Sequence, residues 1–268
     1  MDILSIGGLI AAFTTFLVAF KMEGGELPGL LQITAFMIVV GGTWATVLIS
    51  FSMSTLKKLP KSIRLVFFDK PTDPVAVIDK LAEYSDKARR TGLLELESKV
   101  QEEENRLMKK GLELVIDGME SETVADILYK DAELEEKEYH ECASVWEAAG
   151  GYSPTMGIIG TVMGLITVLN NLSEPETLGH SIAVAFVATL YGVCFANVIY
   201  LAFASKIKAR GQKDALVAEI IIEGVLSIQA GENPKIMKEK LCYNLIKEYN
   251  PSKGGDKTED KSTASEEE

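Results

Sequence analysis

Charge is missing from four long stretches of this 268-residue chain. Ile3 to Phe20, Leu30 to Met53, Pro154 to Leu172 and Ile182 to Ala204 contain no Asp, Glu, Lys, Arg or His, although 25% of the residues are charged. Helices of these lengths cross about 30 Å of hydrocarbon, and four such blocks in one chain argue against buried core helices. The expected fold is all-α: a polytopic membrane protein with four transmembrane helices and a helical cytoplasmic domain between spans two and three. The first block is short enough to be weighed as a signal peptide. Asp2 stands where a basic start belongs, however, and no clear cleavage site precedes the next span, so the block is expected to be retained.

Other scarcities narrow the chemistry. Histidine occurs twice, as His140 and His180, and the three cysteines Cys142, Cys194 and Cys242 are scattered. No pair has zinc-ligand spacing and no disulfide framework is offered, so neither a metal nor a disulfide is expected. There is no Gly-rich phosphate loop, GxSxG elbow or HExxH, which excludes the common enzyme signatures and implies no cofactor. The formal net charge is −12. Much of it lies in the run "DAELEEKEYHE" and in the tail "PSKGGDKTEDKSTASEEE", where it solvates faces outside the membrane, and nucleic-acid binding has no support. A proton or cation path normally needs a carboxylate or another charged group in the bilayer, and none of the four blocks has an Asp, Glu, Lys, Arg or His. Such a group must come from another chain if this one conducts ions.

Lysine and arginine, where they do occur, give an orientation. Lys57, Lys58, Lys61 and Arg64 follow the second block, and Lys206, Lys208, Arg210 and Lys213 follow the fourth. The short loops between paired blocks, Glu23 to Gly29 and Ser173 to His180, hold no such cluster, and only Lys21 lies nearby. Basic flanks stay inside, so both termini are expected in the cytoplasm. The predicted organisation is residues 1–53 for spans one and two, 54–151 for a cytoplasmic helical domain, 152–205 for spans three and four, 206–249 for C-terminal cytoplasmic helices and 250–268 for a disordered acidic tail.

Helical periodicity fills the inner domain. Thr72-Asp73-Pro74 reads as a cap with proline in the first turn, after which Val77, Ile78, Leu81 and Tyr84 recur at helical spacing to about Arg89. Gly92 punctuates. Leu93, Leu94, Leu96 and Val100, then Leu107, Met108, Leu112 and Val115, continue the pattern to a break near Gly118. A further helix starts at Ser121 and is predicted to run towards the third span, interrupted at Gly150-Gly151. Beyond the fourth span a helix is expected to reach about Leu226, and Asn233-Pro234 opens another that ends near Tyr249.

Two spans carry stripes of small residues. Gly157, Gly160, Thr161 and Gly164 fall within roughly 100° of arc on the third, and Ala185, Ala188, Thr189, Gly192 and Ala196 share a similar arc on the fourth. Two readings apply. Small residues let helices pack closely while each threonine bonds back to its own turn. Alternatively, the stripes line a path and leave space for a partner helix that brings the missing carboxylate. A membrane-anchored scaffold or receptor fits the topology but leaves the paired stripes unexplained.

The segments "ARRTGLLELE" (Ala88 to Glu97), "SPTMGIIGTVMGLI" (Ser153 to Ile166) and "VATLYGVCFAN" (Val187 to Asn197), in a chain with four spans and a large inner loop, resemble the MotA family of flagellar stator subunits. The likeness covers nearly the whole chain before the tail. The related ExbB and TolQ proteins, energy-transducing subunits with a three-span plan, are similar in the channel-forming helices but fit less well. The resemblance implies a homo-oligomer, a pentamer around a dimer of MotB, whose single span carries the ion-binding aspartate and whose outer part anchors to peptidoglycan. It implies that protons or sodium ions cross beside that aspartate and drive rotation against the rotor, with membrane lipid around the assembly. It assigns Pro154, Thr161 and Thr189 to the ion pathway and Gly157, Gly160, Gly164, Ala185, Ala188 and Gly192 to packing around the partner. Arg89, Arg90 and Glu97 match the charges that engage the rotor's switch protein. Ala202 stands where the family has a second proline. Threonine at both 161 and 189 is similar to sodium-driven members, while proton use is widespread in the family, and both ions remain open.

Overall fold

The computed structural model describes residues 3–68, 72–170 and 175–249. Among them there is no strand. Helix α1 is Ile3–Met22, and a 3-10 turn at Leu27–Leu30 leads to α2, residues 33–50, in which a π-helical stretch, Met37–Gly41, separates Ile33–Phe36 from Gly42–Ser50. After a short turn at Met53–Leu56 come α3 (Leu59–Phe68), α4 (Pro74–Thr91), a 3-10 turn (Leu93–Leu96), α5 (Glu97–Gln101) and α6 (Arg106–Ile116). Helix α7 is Ser121–Asn170 and α8 is Pro175–Cys194; a second π-helical stretch, Phe195–Tyr200, joins α8 to α9 (Leu201–Gln229), and α10 is Pro234–Tyr249. Four of these rods are long and apolar enough to cross a membrane. The expected outer loop at Ser173 begins in residues outside those described, and so does the whole acidic tail.

The chain divides into two compact units, one within residues 1–70 and 137–211 and the other within 71–136 and 212–268. In the first, the spans meet around Val39, Val47, Ala188 and Ala204, all at most 2% exposed. Trp44, Trp146, Tyr200 and Phe203 form a ring cluster, with Trp44 edge-on to Trp146 at 5.7 Å and Trp146 to Phe203 at 5.3 Å. The indole of Trp146 donates to Ser62 Oγ at 3.0 Å, which satisfies a buried N–H that would otherwise cost more than the bond returns. The second span ends at Ser50, short of the expected Met53. Phe51 is extended (φ −123°, ψ 150°), and Ser52 starts a new turn by accepting from the Thr55 amide.

The second unit is a helical bundle with its own apolar core. Ile78 and Leu81 of α4, Leu112 of α6, Leu128 of α7, Ile222 of α9 and Leu241 of α10 are fully buried. Its helix ends follow the sequence. Asp73 accepts from the Val75 amide with Pro74 in the first turn, Asn105 caps α6 through the Met108 amide, and Gly92, at φ 93°, ends α4 in a conformation that side chains disfavour.

One expectation fails in α7. The helix runs unbroken through Gly150-Gly151. Glycine costs a helix about 1 kcal/mol relative to alanine; at Gly150 the missing side chain makes room, since a Cβ there would lie 2.6 Å from Leu201 Cδ2. The glycine marks a close approach, not a stop.

Candidate ion pathway and exposed charge cluster

In the first unit, the stripe on α7 and the stripe on α8 face each other. A Cβ on Gly157 would stand 2.9 Å from Ala188 O and 3.1 Å from Thr189 Cα; on Gly164, 2.6 Å from Ala185 Cβ; on Gly192, 3.2 Å from Pro154 Cα. A Cβ on Gly160 would come within 2.7 Å of Ala188 Cβ. Within the chain, the glycines thus set the spacing of spans three and four. Ser153, buried beside Pro154, reinforces the crossing by donating to Gly192 O at 3.0 Å.

At the centre of this crossing the two threonine hydroxyls meet. Thr161 Oγ1 bonds directly with Thr189 Oγ1, and it lies 2.9 Å from Ala185 O on the facing helix and 3.1 Å from Gly157 O on its own. Each hydroxyl has one hydrogen. If Thr189 donates to Thr161 and Thr161 donates to a carbonyl, both oxygens keep acceptor capacity. Both residues are half-buried. Beside them, a cavity of about 430 Å³ is lined by Thr34, Ile38, Gly164, Thr167, Ser181 and Ala185, among others, and so carries further hydroxyls.

In the second unit, Arg89 and Arg90 end α4 and Glu97 begins α5, and all three are exposed. Arg90 pairs with Asp86 one turn back at 3.0 Å; among the described residues Arg89 and Glu97 have no ion-pair partner. The arginines also sit at the helix end where positive charge is favoured. Beneath them Glu103 ties the two segments together. Its side chain, 2% exposed, accepts from Tyr84 Oη at 2.8 Å, Lys80 Nζ at 3.0 Å and the Asn105 amide at 2.9 Å. Burial opposes its ionised form, but these three donors outweigh burial and hold the carboxyl below its ordinary range. Burial and the neighbouring Glu103 push the Tyr84 phenol far up. A further ion pair, Lys99 with Glu83, joins α5 to α4.

Two family models cover most of the chain: "MotA/TolQ/ExbB proton channel family" over residues 99–220 and "Motility protein A N-terminal" over residues 6–92. Motility protein A of Bacillus subtilis (strain 168) is 35% identical over 246 residues, 91% of each chain. The chain belongs to the MotA/TolQ/ExbB proton channel family. Among solved structures, C. jejuni MotAB matches with a TM-score of 0.87 at 31% identity, covering 91% of this chain and 96% of that one. The flagellar MotAB stator complex from Bacillus subtilis matches with a TM-score of 0.85 at 34% identity, covering 90% and 94%. Four membrane helices and these relatives favour the MotA plan over the three-span ExbB and TolQ plan.

For a MotA-like member, the π-helical stretches are the features that sequence reasoning missed. The second, Phe195–Tyr200, ends two residues before Ala202, which stands in regular helix. The irregularity of the fourth span therefore lies close to where the family places its second proline, without a proline. Ser153 was within a recognised segment, but nothing in the sequence pointed its hydroxyl across to Gly192. The Glu103 cluster also escaped notice, because its donors are as many as 23 residues away in sequence.

Proposed function

We propose that this flagellar stator subunit conducts protons or sodium ions along the Thr161–Thr189 crossing, next to an aspartate carried by a MotB-like single-span partner. The observation that supports it most is the hydroxyl pair itself: two oxygens with spare acceptor capacity, at the packed crossing of spans that contain no Asp, Glu, Lys, Arg or His. Pro154 removes one amide donor from α7 where Gly192 packs against that helix, a place for the helix to bend as the partner aspartate loads and releases. Several copies, five in the arrangement the resemblance implies, ring a partner dimer, with both termini of each copy inside. One elementary charge falling through 100 mV supplies about 2.3 kcal/mol per step. Arg89, Arg90 and Glu97 pass the resulting motion to charges on the rotor's switch protein.

Two outcomes test this. The chain, purified from membranes, should bring down a single-span protein with a membrane Asp, and deletion of either should leave cells flagellated but non-motile. Normal swimming of the deletion strain, in a cell with no second stator set, contradicts the reading. The ion is separated by swimming speed at fixed membrane potential: a rise with external sodium identifies sodium. Abolition by a protonophore in plentiful sodium identifies protons.

A further inference from the structure

Helix α3 (Leu59–Phe68) presents two faces with different fates. Ser62 and Val66 are buried, and the ring of Phe67 meets that of Phe203 edge-on at 5.3 Å. Phe203 is the last but one residue of the fourth apolar block, and α3 also touches α1, itself a span over its whole length. Two spans thus hold α3 where hydrocarbon gives way to water. The other face carries Lys61 and Arg64, with Lys57 just ahead of the helix, and all three are exposed. Ile63 (40% exposed) and Phe68 (56%) flank them.

The basic groups divide further. Lys58 and Lys61 turn to carboxylates of α7, at 3.1 Å to Glu141 and 2.9 Å to Glu138. Among the described residues, neither Lys57 nor Arg64 has a carboxylate partner. Two uncompensated cations, flanked by exposed apolar side chains and held at the end of two spans, match a layer with negative oxygens above and hydrocarbon below. We propose that this face of α3 binds the headgroups of anionic phospholipids in the inner leaflet. Arg64 meets phosphate oxygens through its planar guanidinium, Lys57 adds a point charge, and Ile63 and Phe68 enter the acyl boundary. The inference rests on the chain spanning a membrane and needs no flagellar motor.

The test uses the full complex in phosphatidylcholine vesicles with a trace of spin-labelled phosphatidylglycerol or spin-labelled phosphatidylcholine, and reads the motionally restricted fraction of each. The wild type should favour phosphatidylglycerol several-fold, less so as salt rises. Lys57→Gln/Arg64→Gln should lower that preference by roughly fivefold or more, about 1 kcal/mol for a basic side chain near an anionic surface. Arg64→Lys should keep most of it, and so should a charge-matched Lys130→Gln/Lys235→Gln control. Equal restriction of the two lipids by the wild type overturns the proposal. So does an unchanged preference in the double variant, or an equal loss in the control, which would assign the effect to net charge alone.

Discussion

In the unit within residues 71–136 and 212–268, Leu81, Leu112, Ile222 and Leu241 are 0% exposed, whereas on α7 in the other unit Ile158 (56%), Val162 (50%), Ile166 (53%) and Leu169 (64%) face outward along one side. The first set follows the rule of a water-soluble bundle, in which burying a large apolar side chain contributes about 1.5–3 kcal/mol. The second set belongs to a membrane span, whose apolar side chains do not need their own chain to shield them from water. Adhesion within the membrane unit must therefore come from close backbone approach and from hydrogen bonds across helices. Glycine, with Ser153 donating to Gly192 O, does there what leucine and isoleucine do in the other unit. The polar groups differ in the same sense: Glu103 is saturated by three donors, while Thr161 and Thr189 retain acceptor capacity.

The sharpest break of this comparison lies within one helix. A Cβ on Gly157 meets backbone atoms of α8, while one on Gly151 meets nothing within 4 Å. Gly157→Ala should push spans three and four apart, an overpacking cost of about 1–3 kcal/mol, and sharply reduce intact complex recovered from membranes. Gly151→Ala should be tolerated and favour the helix by up to about 1 kcal/mol. Equal recovery of both variants would mean that glycine packing does not hold the spans.

Glu103 offers the next effect, in the bundle. Glu103→Ala leaves Tyr84 and the Asn105 amide without their acceptor and should cost about 1–3 kcal/mol, seen as faster hydrogen exchange in α4 and α6. Because the folded-state pKa is depressed, the stabilisation from its ionised form is complete above the unfolded value of about 4.3 and disappears as pH falls through the lower folded value. Wild-type protection should therefore drop on acidification below the usual carboxylate range, and Glu103→Gln should lack that part of the drop. An identical acid profile in the two proteins would remove Glu103 from the account.

The mildest changes are expected at the exposed charges. Reversing Arg89 or Glu97 alters contacts worth about 0–1 kcal/mol, so swimming should weaken mainly at low stator expression, and a matching reversal on the rotor should restore part of it. Unimpaired swimming at every expression level after neutralising Arg89, Arg90 and Glu97 together excludes them as the rotor contact.

Legibility in the sequence followed the same divide between membrane and bundle. The four spans were legible because a missing charge is a local signal, and the inner helices because their apolar residues recur every three or four positions. The arcs of small residues were legible too, but not what they face: a stripe shows that something comes near, and only the fold shows that Ala188 and Thr189 of the same chain are what come near Gly157. Gly150-Gly151 misled because glycine marks both helix ends and close approaches. The π-helical stretches at Met37–Gly41 and Phe195–Tyr200 left no trace, since no residue pattern distinguishes them from regular apolar helix. Glu103 looked like one more charge in an acidic loop until folding brought Lys80 and Tyr84 to it.

The central claim is that the hydroxyls of Thr161 and Thr189 serve the ion and not the packing. Valine keeps the branched shape and removes the oxygen, so Thr161→Val/Thr189→Val separates the two roles. Rotation speed of tethered cells, measured against ion motive force with the amount of assembled complex determined in parallel, is the direct test. The account predicts normal assembly with rotation slowed about tenfold at a given motive force, the equivalent of about 1.4 kcal/mol on the limiting step. Wild-type speed at every motive force, in cells with a normal amount of complex, would contradict it and leave the two threonines as packing residues.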